Sequence, residues 1–212
     1  MKYFFAFILL AIFSLLPQKA FSWGLRGHAS ICEAAVFLVD NKELKEFLQD
    51  RPQVMGHLCN IPDIYWKSLP SQFTKEGNPA HYINAEPLGL TVKDMPTDFK
   101  QILEKYNNAP RADKPNNEKF LSLPHDIGSN WWRANQFYNM SIDVGKKIKS
   151  AAVPKNSKEE QDENLPYNLN TYTMMTFMGV MGHFVGDNSQ PFHVTSNHDG
   201  YNTGNELGRA HV

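Results

Sequence analysis

An all-α fold in a single multi-helix domain is what this sequence predicts, on three observations. Apolar side chains recur every three or four residues over long stretches, as on one face of a helix. No stretch shows the strict alternation of a half-buried strand, and no internal repeat is present. Without a 22-residue leader, the 212-residue chain leaves 190 residues, a length that suits one domain.

The elements follow in order. Residues 1–22 have the layout of a secretory signal peptide. Lys2 gives a short positive start, the run Tyr3 to Leu16 is apolar except for Ser14, Pro17-Gln18-Lys19 breaks it, and Ala20-Phe21-Ser22 is a small-x-small cleavage site. The run is shorter than the roughly 20 residues that a spanning helix needs. Cleavage and a secreted or periplasmic location are therefore expected, with Trp23 as the new N-terminus. A helix is expected over 27–39, where Ile31, Ala34, Ala35, Leu38 and Val39 share a face, and another over 41–49 with Asn41 as its N-cap. Residues 51–63 read as a loop or short helix ending in Pro62-Asp63. The Pro-, Gly- and Asn-rich stretch 68–96 predicts irregular structure. Asp98 to Tyr106 reads as a helix and 107–117 as a polar connector. The stripe Trp131, Trp132, Ala134, Phe137, Tyr138, Ile142 and Val144 predicts a long helix over 130–149. Residues 154–168, charged and with Pro near both ends, predict an exposed loop. A last long helix is expected from about Asn170 to Asp187.

Charge and motifs narrow the chemistry. Cleavage removes Lys2 and Lys19, leaving 19 basic and 22 acidic side chains and a formal charge of −3. That balance argues against tight, extended binding of a nucleic-acid backbone by Lys and Arg. It leaves room for catalysis on a phosphate, because a bound divalent ion can be the largest charge in a site. No P-loop, dinucleotide fingerprint or G-x-S-x-G elbow is present. Cys32 and Cys59 are the only cysteines. Export makes a disulfide possible, and two buried free thiols are an equal alternative.

The most informative segment runs from His183 to His193, H-x3-D-x5-H. His183 and Asp187 are four apart and so stack on one helical face. Pro191 discourages continuation of the helix, and His193 can swing back toward the same place. Imidazole and carboxylate are the donors zinc takes outside thiolate sites. The inventory of candidate metal ligands is Trp23, His28, Asp63, His81, His183, Asp187, His193 and His211. Trp23 enters through the α-amine that cleavage would free, with an ordinary pKa near 8, which with its own carbonyl would form a five-membered chelate. His57, His125 and His198 read as surface or hydrogen-bonded residues.

This ordered set resembles the S1/P1 nuclease family, within the superfamily that also holds the zinc-dependent phospholipases C. Trp23-Gly24-x-x-Gly27-His28 is similar to the family's mature N-terminus, Pro62-Asp63-Ile64-Tyr65 to the segment supplying a zinc carboxylate, and His81-Tyr82-Ile83-Asn84 to its His-aromatic motif. His183 to His193 resembles its central signature. The resemblance implies an all-α fold of the phospholipase C/P1 nuclease type and three Zn2+ ions. Asp63, His81, His183 and Asp187 would hold the first. His193 and His211, with a later acid, would hold the second. Trp23 and His28 would hold the third, with Asp187 bridging two metals. Asp63 and Asp187 would be the catalytic carboxylates, while Tyr82 and Asn84 would contact substrate.

The sequence departs from that pattern in places. Trp66 stands where an arginine often follows, and Asn84 where an acid closes the His-aromatic motif. The stretch between His81 and His183 is longer than in the fungal enzymes. The acidic partner of His211 would fall beyond Val212, so residues 23–212 read as a phosphodiesterase domain that is incomplete at its C-terminus. The expected activity is zinc-dependent hydrolysis of a phosphodiester by a metal-activated water, on single-stranded DNA or RNA. The Trp23-to-His28 spacing favours that nuclease branch, whereas the short gap from His193 to His211 leans toward a phospholipase C acting on a phospholipid head group. A non-enzymatic, exported zinc-binding helical protein is the further alternative. No protein partner is implied, and a monomer is expected.

Overall fold

In the computed structural model, residues 24–67, 70, 71, 75 and 77–197 are described. The leader, Trp23, His198 and His211 lie outside them. The described residues are mostly helical and contain no strand, only the isolated bridges Ile83 to Gly128 and Pro110 to Lys119. No described helix is long and apolar enough to cross a membrane.

Helix α1 spans Leu25–Val36, shorter at its C-terminal end than expected. The face it buries is also not the one expected. His28, Cys32 and Val36, at i, i+4 and i+8, point inward; of the expected face Ile31 and Val39 are half-buried, Ala34 and Ala35 are exposed, and Leu38, beyond the helix end, is 80% exposed. Two long-range ties set this roll: a disulfide from Cys32 to Cys59 and the contacts of His28 with Asp187. They outweigh the apolar preference of two small alanines, whose exposure costs little. Helix α2, Lys42–Gln49, is capped as expected, with Asn41 Oδ1 accepting from Leu44 N at 2.8 Å.

Helix α3, Pro52–Cys59, resolves the choice left open for 51–63. Pro52 sits in its first turn, where a missing N–H is harmless. A wide π-helical turn, Pro62–Trp66, follows. Pro62 has no N–H to continue the α ladder, and the widened turn carries Asp63. Such turns recur at functional sites.

The stretch from 78 to 98 is built of short 3-10 turns, Asn78–His81, Glu86–Leu88 and Val92–Asp94. It is irregular, as expected, yet it covers a core of its own: Ile83, Leu88, Met95, Ile102, Tyr106, Leu123 and Ile127 pack together. Two of these come from α4, Phe99–Tyr106, which Asp98 caps, and two from α5, Leu123–Ile127.

Helix α6, Asn130–Ser150, buries Asn130, Ser141 and Val144, with Ala134 and Phe137 packed on Phe184 and Val180. Tyr138 and Ile142, assigned to its apolar stripe, face outward at 52% and 41% exposure. At 100° per residue they fall beyond the edge of the stripe that Ala134, Phe137, Ser141 and Val144 define. Part of the expected loop is helical. Residues Ser157–Glu160 form α7, and α8 runs over Pro166–Asn188, starting at Pro166 rather than near Asn170. A proline in the first turn starts a helix as readily as it ends one. Asn168 Nδ2 then ties the loop down by donating to the carbonyls of Glu159, Glu160 and Asp162.

Helix α8 is the hub. It packs most extensively on α6 and also on α3 and α1, so it is apolar or small on several faces rather than one. A row of glycines makes the close approach possible. A side chain at Gly179 would meet Leu58, one at Gly182 would meet the Cys32 sulfur, and one at Gly186 would sit 2.9 Å from His28 Nδ1.

Candidate metal centre

Five segments deliver six of the expected side chains to one place. His28 comes from α1, Asp63 from the π turn, His81 from the end of the first 3-10 turn, His183 and Asp187 from α8, and His193 from the turn Pro191–His193. Asp187 lies at their centre. Its Oδ1 is 3.2 Å from His28 Nε2 and 3.7 Å from His193 Nε2, while its Oδ2 is 3.2 Å from both His81 Nδ1 and His183 Nε2. Asp63 closes the other side, with Oδ1 3.7 Å from His81 Nδ1 and 3.8 Å from His183 Nε2 and Oδ2 4.0 Å from His28 Nε2. Trp23 and His211, the remaining candidate ligands, lie outside the described residues.

Local structure explains why the donors meet. His81 is pinned from three directions. Asn130 Nδ2 donates to His81 O at 3.0 Å, Ile83 N donates to His193 O at 2.8 Å, and Asn84 N donates to Ile127 O at 2.7 Å. Gly128, at φ +78°, turns the chain so closely past the Tyr82 carbonyl that a Cβ there would collide with it. Asn130 is completely buried, and its Oδ1 accepts from Asn188 Nδ2 at 3.0 Å, linking the start of α6 to the end of α8. Phe184, also fully buried, lies beside the His81 and His183 rings and seals the site from below.

Burial and charge set the protonation. Burial alone would push the Asp187 carboxyl up, but hydrogen bonds from His183, His28 and His81 outweigh it and hold the group well below the usual carboxylate range. Asp63 is also lowered: burial opposes the shift, and the Lys67 ammonium, with Nζ 2.6 Å from Oδ1, overcomes it. Burial pushes the imidazoles of His183 and His193 below the ordinary histidine value. Ionised carboxylates thus face His183 and His193 imidazoles for which burial favours the neutral form.

That donor set fits a divalent cation. Ligand atoms of His28, His183 and Asp187, and separately of Asp63, His81 and His183, lie within 4.8 Å of one another. His183 Nε2 also approaches His81 Nδ1 to 3.0 Å while both point at Asp187 Oδ2. Two ring hydrogens aimed at that oxygen would crowd one another, and a lone pair facing it is repelled. A cation among them relieves both problems, and N/O donors of this kind suit several first-row divalent ions. The ring nitrogens turned away, Nδ1 of His28, His183 and His193, are buried without a hydrogen-bond partner among the described residues. No backbone carbonyl or carboxylate fixes them, as one often does behind a ligating histidine.

Comparison of the chain with family models, with curated proteins and with solved structures finds no match.

The other expected positions sort differently. Tyr82 is half-buried next to His81, and its hydroxyl donates to His125 O at 2.6 Å. Burial, then the nearby Asp126 charge, raises its pKa. Asn84 Oδ1 is buried without a hydrogen-bond partner among the described residues. Trp66, which stands where an arginine often follows in the family pattern, packs beside Phe184 at 6.4 Å between ring centres. Sequence reasoning missed Lys67, Asn130 and the glycine row. The i, i+4 pair Asp63–Lys67 and the spacing Gly179-x2-Gly182-x3-Gly186 were legible; the part played by Asn130 was not.

Proposed function

We propose that this chain is an exported, zinc-dependent phosphodiester hydrolase of the S1/P1 nuclease kind, acting on single-stranded DNA or RNA. One observation carries the reading: Asp187 has two imidazoles on each carboxylate oxygen, with a second carboxylate, Asp63, opposite. A carboxylate so divided suits two adjacent cation positions, the spacing used to clamp the two ends of a phosphoryl displacement. His28, His183 and Asp187 would hold one ion, and Asp63 and His81 with His183 or Asp187 the other. Zinc bound there supplies Lewis acidity toward a phosphoryl oxygen and an attacking water.

The chain's own residues supply the rest. Asp187 and Asp63 stay ionised and orient the donors. Phe184 and Trp66 keep the floor dry, which strengthens every charge interaction above it. His193, 17% exposed, marks the open side. Tyr82, its ring held by the bond to His125 O, offers a flat face beside His81. The Cys32–Cys59 disulfide supports the export reading.

The test uses the full-length mature protein. Metal content is measured, followed by hydrolysis of single-stranded DNA, RNA and phosphatidylcholine with and without chelator. Chelator-sensitive cleavage of nucleic acid is expected. Turnover of lipid alone moves the assignment to a phospholipase C, and bound zinc without any ester hydrolysis moves it to a binding protein.

A further inference from the structure

Lys67 lies one turn beyond Asp63, with Nζ 2.6 Å from Asp63 Oδ1. That same oxygen faces His81 Nδ1 and His183 Nε2 at 3.7 and 3.8 Å, within the three-residue group whose donor atoms converge. The ammonium therefore stands on an oxygen that a cation held by Asp63, His81 and His183 would need. The contact is a close ion pair held by charge rather than by hydrogen-bond geometry. With Asp63 only 6% exposed and Lys67 25%, water screens it much less than a surface pair. A divalent ion and an ammonium on one oxygen would lie only about 4 Å apart and repel strongly at low dielectric.

We propose that Lys67 is a tethered competitor for the metal: it neutralises Asp63 in the metal-free protein and leaves that carboxylate when a cation takes the Asp63–His81–His183 position. The inference rests on the metal-site reading above but not on the reaction. It gives the chain a stable metal-free state, because the buried carboxylate is never without a positive partner. It also sets a threshold for loading. The ion must displace a residue whose four-carbon stem lets the ammonium swing aside while staying close.

The test measures binding of zinc ion by competition with a chromophoric chelator, for the wild type and for Lys67→Met and Lys67→Arg. Removing an ion pair that the metal must break raises the affinity of Lys67→Met by about 10- to 100-fold, while Lys67→Arg stays near wild type. A second measurement needs no variant. In the wild type, acylation of Lys67 by an amine-reactive reagent, read by mass spectrometry, is slow without zinc and faster with it. Zinc bound by wild type and Lys67→Met with equal affinity, or labelling of Lys67 unchanged by stoichiometric zinc, overturns the inference and leaves the metal centre standing. Zinc bound by neither protein removes the metal centre itself. Zinc bound only by Lys67→Met supports the competition in its strongest form.

Discussion

Gly186→Ala separates helix stability from site geometry. The new Cβ would lie 2.9 Å from His28 Nδ1 and 3.2 Å from Cε1, against the 3.4 to 4 Å of ordinary contact. The ring must retreat by ~0.5 Å, yet it is 1% exposed, stacked on His183 at 4.0 Å, and 3.2 Å from Asp187. Within a helix, Gly to Ala favours folding by about 1 kcal/mol. Overpacking a filled site disfavours it by about 1–3 kcal/mol. The net effect expected is between no change and a loss of about 2 kcal/mol. Metal–ligand distances hold within about 0.2 Å, so the displaced ring should weaken zinc binding by about 10- to 100-fold, the range seen when a ligand's support is disturbed. Gly145→Ala in α6 is the control. Among the described residues its Cβ meets only Met174 Sδ, at 3.8 Å, so it should gain about 0.5–1 kcal/mol and leave zinc binding alone. Urea unfolding followed by circular dichroism and chelator competition read both quantities. Equal stabilisation of the two variants, with wild-type zinc affinity in each, would refute the role assigned to the bare backbone at 186.

Other consequences are open to direct measurement. Asp187→Ala removes the acceptor shared by four imidazoles and should abolish zinc retention and turnover together; elemental analysis showing full zinc in the variant contradicts its central place. Replacing Cys32 and Cys59 by Ser opens a loop of 27 residues' separation and should reduce unfolding free energy by ~3–4 kcal/mol, seen as a lower urea midpoint; a reductant should do the same to the wild type. Acid should destabilise the metal-free protein in two stages. His183 and His193 are held below the ordinary histidine value by burial, so the unfolded chain binds protons that the folded one refuses. The stability they confer is whole above about pH 6.5 and declines as pH falls below it. The lowered carboxyls of Asp63 and Asp187 add a further loss below about pH 4. An unfolding free energy that stays flat between pH 7 and pH 5 would exclude the first stage.

By itself the sequence determined the class of the fold and the chemical identity of the donors. Helical spacing in 130–149, the Asn41 cap and the four-residue step from His183 to Asp187 are local, and local geometry follows from adjacent residues. Only the tertiary structure decided which donors meet. His81 and Asp187 touch across 106 residues of sequence, and such a contact depends on how closely helices can approach. The glycines of α8 set that approach, and the disulfide holds α1 with His28 and Cys32 inward and Ala34 and Ala35 outward. Periodicity misassigned that face because it counts apolar area alone, whereas a buried cluster of charge and imidazole binds its members by directional contacts that hydropathy does not register.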